Sequence, residues 1–328
     1  MKKCLVLILG LCFLVSACSS TTVNSETEQS REKSTIFATP PAVTKPSIPE
    51  SATVPTTTPE ETTTTEAPTP TARGYYNGDK VSLKSDWEFA DSSEIHSGAA
   101  VMYVAEQNRK DIVIGVNAGH GTTGGSSVKT YCHPDRTAKV TGGTTAEGSL
   151  KAIAVSSGME FNDGTPESKV TLRLARILRD LLLEEGYDVL MLRDDTDVQL
   201  DNVARTVICN NVADCHIALH WDGDEGGYDK GCFYMSVPDG IKDMYPVTDT
   251  WKKSEKLGDA LIEGLRENEK IFDDGSLDQD LTQTSYSKVP SIDIEMGNEY
   301  SNHDDDTLTR QARGLLKGIN IYFEDSND

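Results

Sequence analysis

The sequence predicts an α/β fold, a mostly parallel sheet with helices on both faces. Two observations carry that expectation. Apolar runs rich in Val, Ile and Leu recur at Ile112–Val116, Val189–Leu192 and Cys215–Leu219, and they alternate with segments whose apolar residues repeat at helical spacing. Runs that are apolar without interruption belong to strands buried on both faces, and strands alternating with helices close most simply into a parallel sheet.

The folded part begins late. Lys2 and Lys3 precede an apolar stretch, Cys4 to Val15, that is short for a membrane span but suits the core of a signal peptide. It ends in Val15-Ser-Ala-Cys18, which resembles the lipobox of bacterial lipoproteins. The expectation is a signal peptide over 1–17, cleavage before Cys18, and a lipid on the Cys18 thiol; an ordinary secretory signal is the alternative. Multiple acyl chains on one residue would suffice for stable anchoring. Either way the protein is expected outside the cytoplasm, and with the lipid it would be held at the bacterial cell membrane. Residues 18–73 are dominated by Thr, Ser, Pro and Glu, with too few apolar residues to offset the entropy of ordering. They read as a spacer or an O-glycosylated stalk, reaching roughly 170 Å at about 3.1 Å per extended residue.

Residues 74–328 have the length of one domain with a substantial core. The formal charge of −22 excludes phosphate-backbone binding, so no nucleic-acid partner is expected. Cys132, Cys209, Cys215 and Cys232 lie in this part. Three disulfide pairings are possible in an exported domain, buried free thiols are equally consistent, and no spacing among the four suits a metal.

In chain order, Ala99–Ala105 reads as a strand pairing with Ile112–Val116 across Gln107-Asn-Arg-Lys. That second strand runs into Asn117-Ala-Gly-His120-Gly121, where glycines flank an imidazole at the carboxyl end of a buried strand, the edge where α/β sheets collect functional residues. Residues 121–166 form a long Gly/Thr/Ser-rich insertion expected to hold a hairpin or flap beside the site. Thr165-Pro166-Glu167 then opens a helix, with Thr165 as N-cap and Gly186 as its end. A strand at Val189–Leu192, a helix over 199–211 and a strand from Cys215 to Leu219 follow. After them come a strand at Cys232–Val237, a helix over 248–268, a strand at Ser291–Met296 and a last helix over 306–322.

His220 and Glu295 end strands as His120 does, and Glu167 stands in the first turn of a helix. In a parallel sheet these four converge on one edge. Two histidines and a carboxylate are a common catalytic zinc set, and a further carboxylate can act as general base. Each has a structural alternative: Glu167 as a dipole-complementing helix start, His220 as a core histidine, Glu295 as part of an edge strand with one wet face. His216 lies about 13 Å from His220 along a strand and cannot share its ion. Of the remaining histidines, His133 is the one expected to approach the site.

The chain over about 111–320 resembles the zinc-dependent N-acetylmuramoyl-L-alanine amidases of the amidase-3 type. The resemblance rests on Asn117-Ala-Gly-His-Gly121, Glu167-Ser-Lys-Val-Thr-Leu172, Gly186-Tyr-Asp-Val-Leu-Met-Leu-Arg193, Arg205-Thr-Val-Ile-Cys-Asn210, Ala213-Asp-Cys-His-Ile-Ala-Leu-His220 and Val289-Pro-Ser-Ile-Asp-Ile-Glu-Met-Gly297, in the family's order. It implies that His120, Glu167 and His220 bind one Zn2+ at the carboxyl ends of the strands and that Glu295 is the catalytic carboxylate. Glu160 also precedes the helix, but the residues following Glu167 select Glu167. The implied activity is hydrolysis of the amide between N-acetylmuramic acid and L-Ala of peptidoglycan. The chain departs from the family at Ala218, Asp222 and Asn298 and in the expanded 121–166 segment, which touches substrate details rather than the chemistry. Another zinc amidohydrolase or carboxypeptidase, or a non-catalytic wall-binding protein, are the other readings. Arg205 could orient substrate or serve as a structural ion-pair partner.

Overall fold

The computed structural model describes residues 69–223 and 226–325. The signal peptide, Cys18 and nearly all of the spacer lie outside these residues. The elements run β1 (Lys80–Val81), β2 (Ala100–Tyr103), β3 (Val113–Ala118), β4 (Lys129–Tyr131), β5 (Lys151–Ile153), α1 (Glu167–Glu185), β6 (Asp188–Met191), α2 (Asn202–Val212), β7 (Cys215–Asp222), β8 (Cys232–Ser236), α3 (Val247–Leu265), β9 (Ile271–Asp278), α4 (Thr282–Ser285), β10 (Ser291–Asn298) and α5 (Asp305–Asp325). Eight strands make one sheet in the order β1-β2-β6-β3-β7-β10-β8-β9, while β4 and β5 pair as a separate hairpin. The central strands β6, β3, β7 and β10 are mutually parallel.

Burial follows the sequence pattern. Ile114, Val116 and Ala118 of β3 face a core built with Val170, Leu174 and Leu178 of α1, Leu257 and Leu261 of α3, and Leu308, Ala312 and Leu315 of α5. Val113, on the opposite side, packs with Ala204, Ile208 and Val212 of α2. Helices therefore cover both faces, as the uninterrupted apolar runs require. Helix α1 stops at Gly186, whose φ of 101° lets its N–H reach the carbonyls of Leu182 and Leu183.

Three local expectations are corrected. The strand at 100–103 does not pair with β3; it lies antiparallel to β6, which sits between them. The cause is Asp188 at the start of β6, a buried carboxylate that accepts from the Ala105 N–H at 2.9 Å and pairs with Arg109 at 3.2 Å, drawing the 105–109 segment across the end of β6. Helix α1 has Pro166, not Thr165, at its N-cap, with no side-chain cap, because the proline ring carries no hydrogen-bonding group. Strand β10 is not an edge strand; β7 and β8 flank it.

The long insertion holds the expected hairpin, β4–β5. It is fastened to the domain by His133, whose Nε2 lies 3.0 Å from both carboxylate oxygens of Asp280, with both side chains fully buried. Asp280 also accepts from the Val140 N–H at 2.8 Å. At the other end of the sheet, Arg73 pairs with Asp214 just before β7 at 2.7 Å, so the chain joins the domain at the amino ends of the parallel strands.

Removing the Asp280 carboxylate leaves a buried imidazole and a buried N–H without their acceptor. Asp280→Ala is expected to cost about 3–5 kcal/mol in urea unfolding and to expose the 139–150 segment to limited proteolysis. A variant as stable and as resistant as the parent would show that the insertion is held by something else.

Candidate metal centre

The turn after β3 is built for close approach. His120 has a left-handed backbone (φ 65°), an uncommon state for a residue with a side chain. Two buried arginines hold it there. Arg205 donates to the carbonyl oxygens of Ala118 (3.2 Å), His120 (2.6 Å) and Leu200 (3.1 Å), and to Asn117 Oδ1 at 3.0 Å. Arg193 donates to the carbonyls of Ala118 (3.0 Å), Gly119 (2.9 Å) and Ser168 (2.9 Å), joining the turn to the start of α1. Every one of these acceptors is neutral. Burial first, then a neighbouring guanidinium, pushes both groups below their usual range, Arg205 to about 9 and Arg193 to about 10, against a weaker opposing pull from Asp201 and Asp197 on Arg205 and from Asp195 and Glu167 on Arg193. Arg205 is thus committed to the frame of the site rather than to substrate.

Gly119 and Gly158 let the backbone come close to the site's side chains. A Cβ on Gly119 would stand 2.4 Å from the His220 ring, and one on Gly158 (φ 83°) 2.7 Å from both Glu167 Oε2 and the His120 ring.

The four expected residues meet at one end of the sheet. His120 Nε2 and Glu167 Oε1 are 2.8 Å apart. His220 Nδ1 lies 3.0 Å from each of them. Ligands about 2.0–2.1 Å from a tetrahedral ion are separated by about 3.3 Å, so three donor atoms this close can share one ion. The donor chemistry suits one as well. His120 Nδ1 lies 2.9 Å from the Ser156 carbonyl, an obligate acceptor, so its proton is on Nδ1 and Nε2 turns a lone pair to the centre. Glu167 accepts the Met159 N–H at 2.9 Å and the Trp221 N–H at 3.0 Å, bonds that settle its orientation and remove the reading of a mere helix-dipole residue. Burial works against its charge, yet His120 and His220 hold its carboxyl well below the ordinary range. Desolvation also lowers the proton affinity of the half-buried His220, but Asp293 and Glu167 together raise it.

Glu295 stands beside His220 in the register of β10 against β7, and both line a cavity of about 560 Å³. Its Oε2 is buried without a hydrogen-bond partner. Burial first, then the carboxylates of Asp293 and Glu167, push the Glu295 carboxyl well above its usual range. A buried, unpartnered carboxylate with raised proton affinity beside a metal-ligand set is what a general base or acid requires. The insertion supplies one wall of the cavity through Gly143, Thr144, Thr145 and Ile153.

A profile of the Amidase_3 family, described as N-acetylmuramoyl-L-alanine amidase, matches residues 114–319. The chain belongs to that family. It is an N-acetylmuramoyl-L-alanine amidase, an enzyme of peptidoglycan hydrolysis. Among solved structures, the apo form of the N-acetylmuramyl-L-alanine amidase Ami1 from Mycobacterium abscessus is similar at 17% identity and a TM-score of 0.52, over 65% of this chain and 98% of that one. Ami1 from Mycobacterium smegmatis is similar at 14% identity and a TM-score of 0.51, over 68% of this chain and 99% of that one. Both share the α/β fold. No curated protein matches the sequence.

The amidase's other histidines stand apart from the triad. His133, expected near the site, fastens the insertion instead. His216 is buried with neither ring nitrogen hydrogen-bonded, and burial, then Arg205, pushes it down to about 3. The four cysteines are buried free thiols. Two of the positions expected to depart from the family pattern have a structural use. Asp222 pairs with Lys230, and Asn298 donates to the Tyr228 carbonyl at 2.9 Å and accepts from the Tyr300 N–H at 3.2 Å, joining two loops beside the cavity. Arg193, Ser156 and the orientation of Asp293 toward His220 were not anticipated, and Arg205, expected to orient substrate or to serve in a structural ion pair, bonds neutral oxygens instead. Arg193 and Arg205 do lie in the segments that carry the family resemblance, and Asp293 shares a strand face with Glu295.

Arg205→Leu is expected to leave the His120 carbonyl and Asn117 Oδ1 without their side-chain donor and to cost about 3 kcal/mol or more in chemical denaturation. The same substitution should weaken metal binding in a chelator competition, since the His120 turn loses its support. Unchanged stability with unchanged metal affinity would mean that the turn holds itself.

Proposed function

We propose that this amidase is zinc-dependent, with His120, Glu167 and His220 as ligands and Glu295 as the catalytic carboxylate, and that it cuts the amide between N-acetylmuramic acid and L-Ala. The observation that supports this reading is the approach of His120 Nε2, Glu167 Oε1 and His220 Nδ1 to within 3.0 Å of one another, with Glu295 beside them in the same cavity. An unactivated amide is a poor electrophile and water a poor nucleophile. A bound zinc ion would polarise the carbonyl and lower the pKa of water to about 7. The chain's own residues do the rest. Glu295, desolvated and without a hydrogen-bond partner at Oε2, accepts the proton of the attacking water and passes it to the departing L-Ala nitrogen. Glu167 and the histidines keep their positions through bonds to Met159, Trp221 and Ser156.

We further propose that the enzyme acts outside the cytoplasm, held at the bacterial cell membrane through a lipid on Cys18, with residues 19–73 as the spacer to the wall. The Val15-Ser-Ala-Cys18 sequence and the Thr/Pro-rich composition support this. Among the described residues no helix is long and apolar enough to cross a membrane.

Peptidoglycan sacculi incubated with the purified enzyme should release stem peptides bearing a free L-Ala amino group, identified by mass spectrometry. A chelator should abolish release and added zinc restore it. Glu295→Gln should retain stoichiometric zinc yet lose about 10²–10⁴-fold in rate. Stoichiometric zinc with an intact wall would overturn the substrate, and full activity in Glu295→Gln would overturn the base.

A further inference from the structure

Each histidine of the triad turns one nitrogen to the shared centre and one away from it. His120 presents Nε2 and directs its outer Nδ1 to the Ser156 carbonyl. His220 has the opposite polarity. It presents Nδ1, and its outer Nε2 faces Asp293 Oδ2 at 3.8 Å. Asp293 lies on β10 two residues before Glu295, opposite Ala218 of β7, and its side chain is 14% exposed.

The surroundings of Asp293 are unusual for a carboxylate. Its Oδ1 is buried and has no hydrogen-bond partner. Among the described residues no lysine or arginine is recorded in an ion pair with it, and its ion-pair neighbour is His220. Asp is a poor strand former, and a desolvated carboxylate with one distant partner weakens a fold. An apolar residue would suit this strand position better if stability were its purpose.

We propose that Asp293 is a positioning residue that keeps the proton of His220 on Nε2 and orients the ring so that Nδ1 faces His120 and Glu167. This rests on the metal reading above. A carboxylate opposite the outer nitrogen of a metal-binding histidine sets its tautomer and raises its basicity, and removal of such a partner typically weakens metal affinity 10–100-fold. The separation of 3.8 Å is an ion-pair distance, a small ring rotation short of a hydrogen bond. The two histidines would then be held by complementary devices, a backbone carbonyl for His120 and a side-chain carboxylate for His220.

The test uses the whole enzyme, zinc and a competing chelator. Asp293→Asn should bind zinc about 10–100-fold more weakly than the parent, while the zinc-stripped variant melts at the same or a higher temperature. In the zinc-loaded parent the His220 Nε2 proton should exchange slowly by NMR, and faster in Asp293→Asn. Zinc affinity within threefold of the parent would overturn the proposal. So would a fall in the melting temperature of the stripped protein in step with affinity, which would make Asp293 an ordinary structural residue. Glu167→Gln separates the two levels of inference. If it abolishes zinc binding while Asp293→Asn does not, the positioning role alone falls; if the parent itself binds no stoichiometric zinc, the metal reading falls with it.

Discussion

Two buried guanidinium groups set the backbone from which the site is built. Arg205 and Arg193 approach the 118–120 turn and bond only neutral oxygens, so each positive charge is spread over carbonyl dipoles instead of being cancelled by a carboxylate. The arrangement stabilises a left-handed His120 that would otherwise be strained, and it joins β3 to the start of α1 and to α2. It also leaves the carboxylates of Glu167, Asp293 and Glu295 free to face the cavity. A frame held by ion pairs would have consumed one of them. The acidity of the site and the neutrality of its frame are therefore two sides of the same arrangement.

The parts of the structure that follow from strong, local physics were legible in the sequence. The apolar runs of β3, β6 and β7 identified buried parallel strands, and the periodicity of Val170, Leu174 and Leu178 identified α1. His120, Glu167, His220 and Glu295 were traceable because each occupies the carboxyl end of a strand or the first turn of a helix. Strand β9 was not legible, because Ile271-Phe-Asp-Asp-Gly-Ser-Leu-Asp278 carries neither an apolar run nor clean alternation and depends on pairing with β8. The position of β2 was hidden for a different reason. Nothing local to Ala100–Tyr103 reveals that Asp188, more than eighty residues later, draws the connecting segment past β3.

His133 illustrates the limit of composition-based reasoning about sites. A histidine in a long polar insertion near a metal set has the right chemistry for a ligand, yet its partner, Asp280, lies in the segment between β9 and α4. The pair makes the insertion part of the domain's permanent wall. Asp222 and Asn298 repeat the lesson: each is occupied by a local contact, Asp222 with Lys230 and Asn298 with the Tyr228 carbonyl.

The attachment of Arg73 to Asp214 has a geometric consequence. Residues 69–73 meet the domain at the amino ends of the parallel strands, and the His120–Glu167–His220 cluster lies at the carboxyl ends, so the two are separated by the length of β3 and β7. The entry segment therefore lies on the face opposite the cavity, and the approach to the triad is bordered by the 121–166 insertion instead.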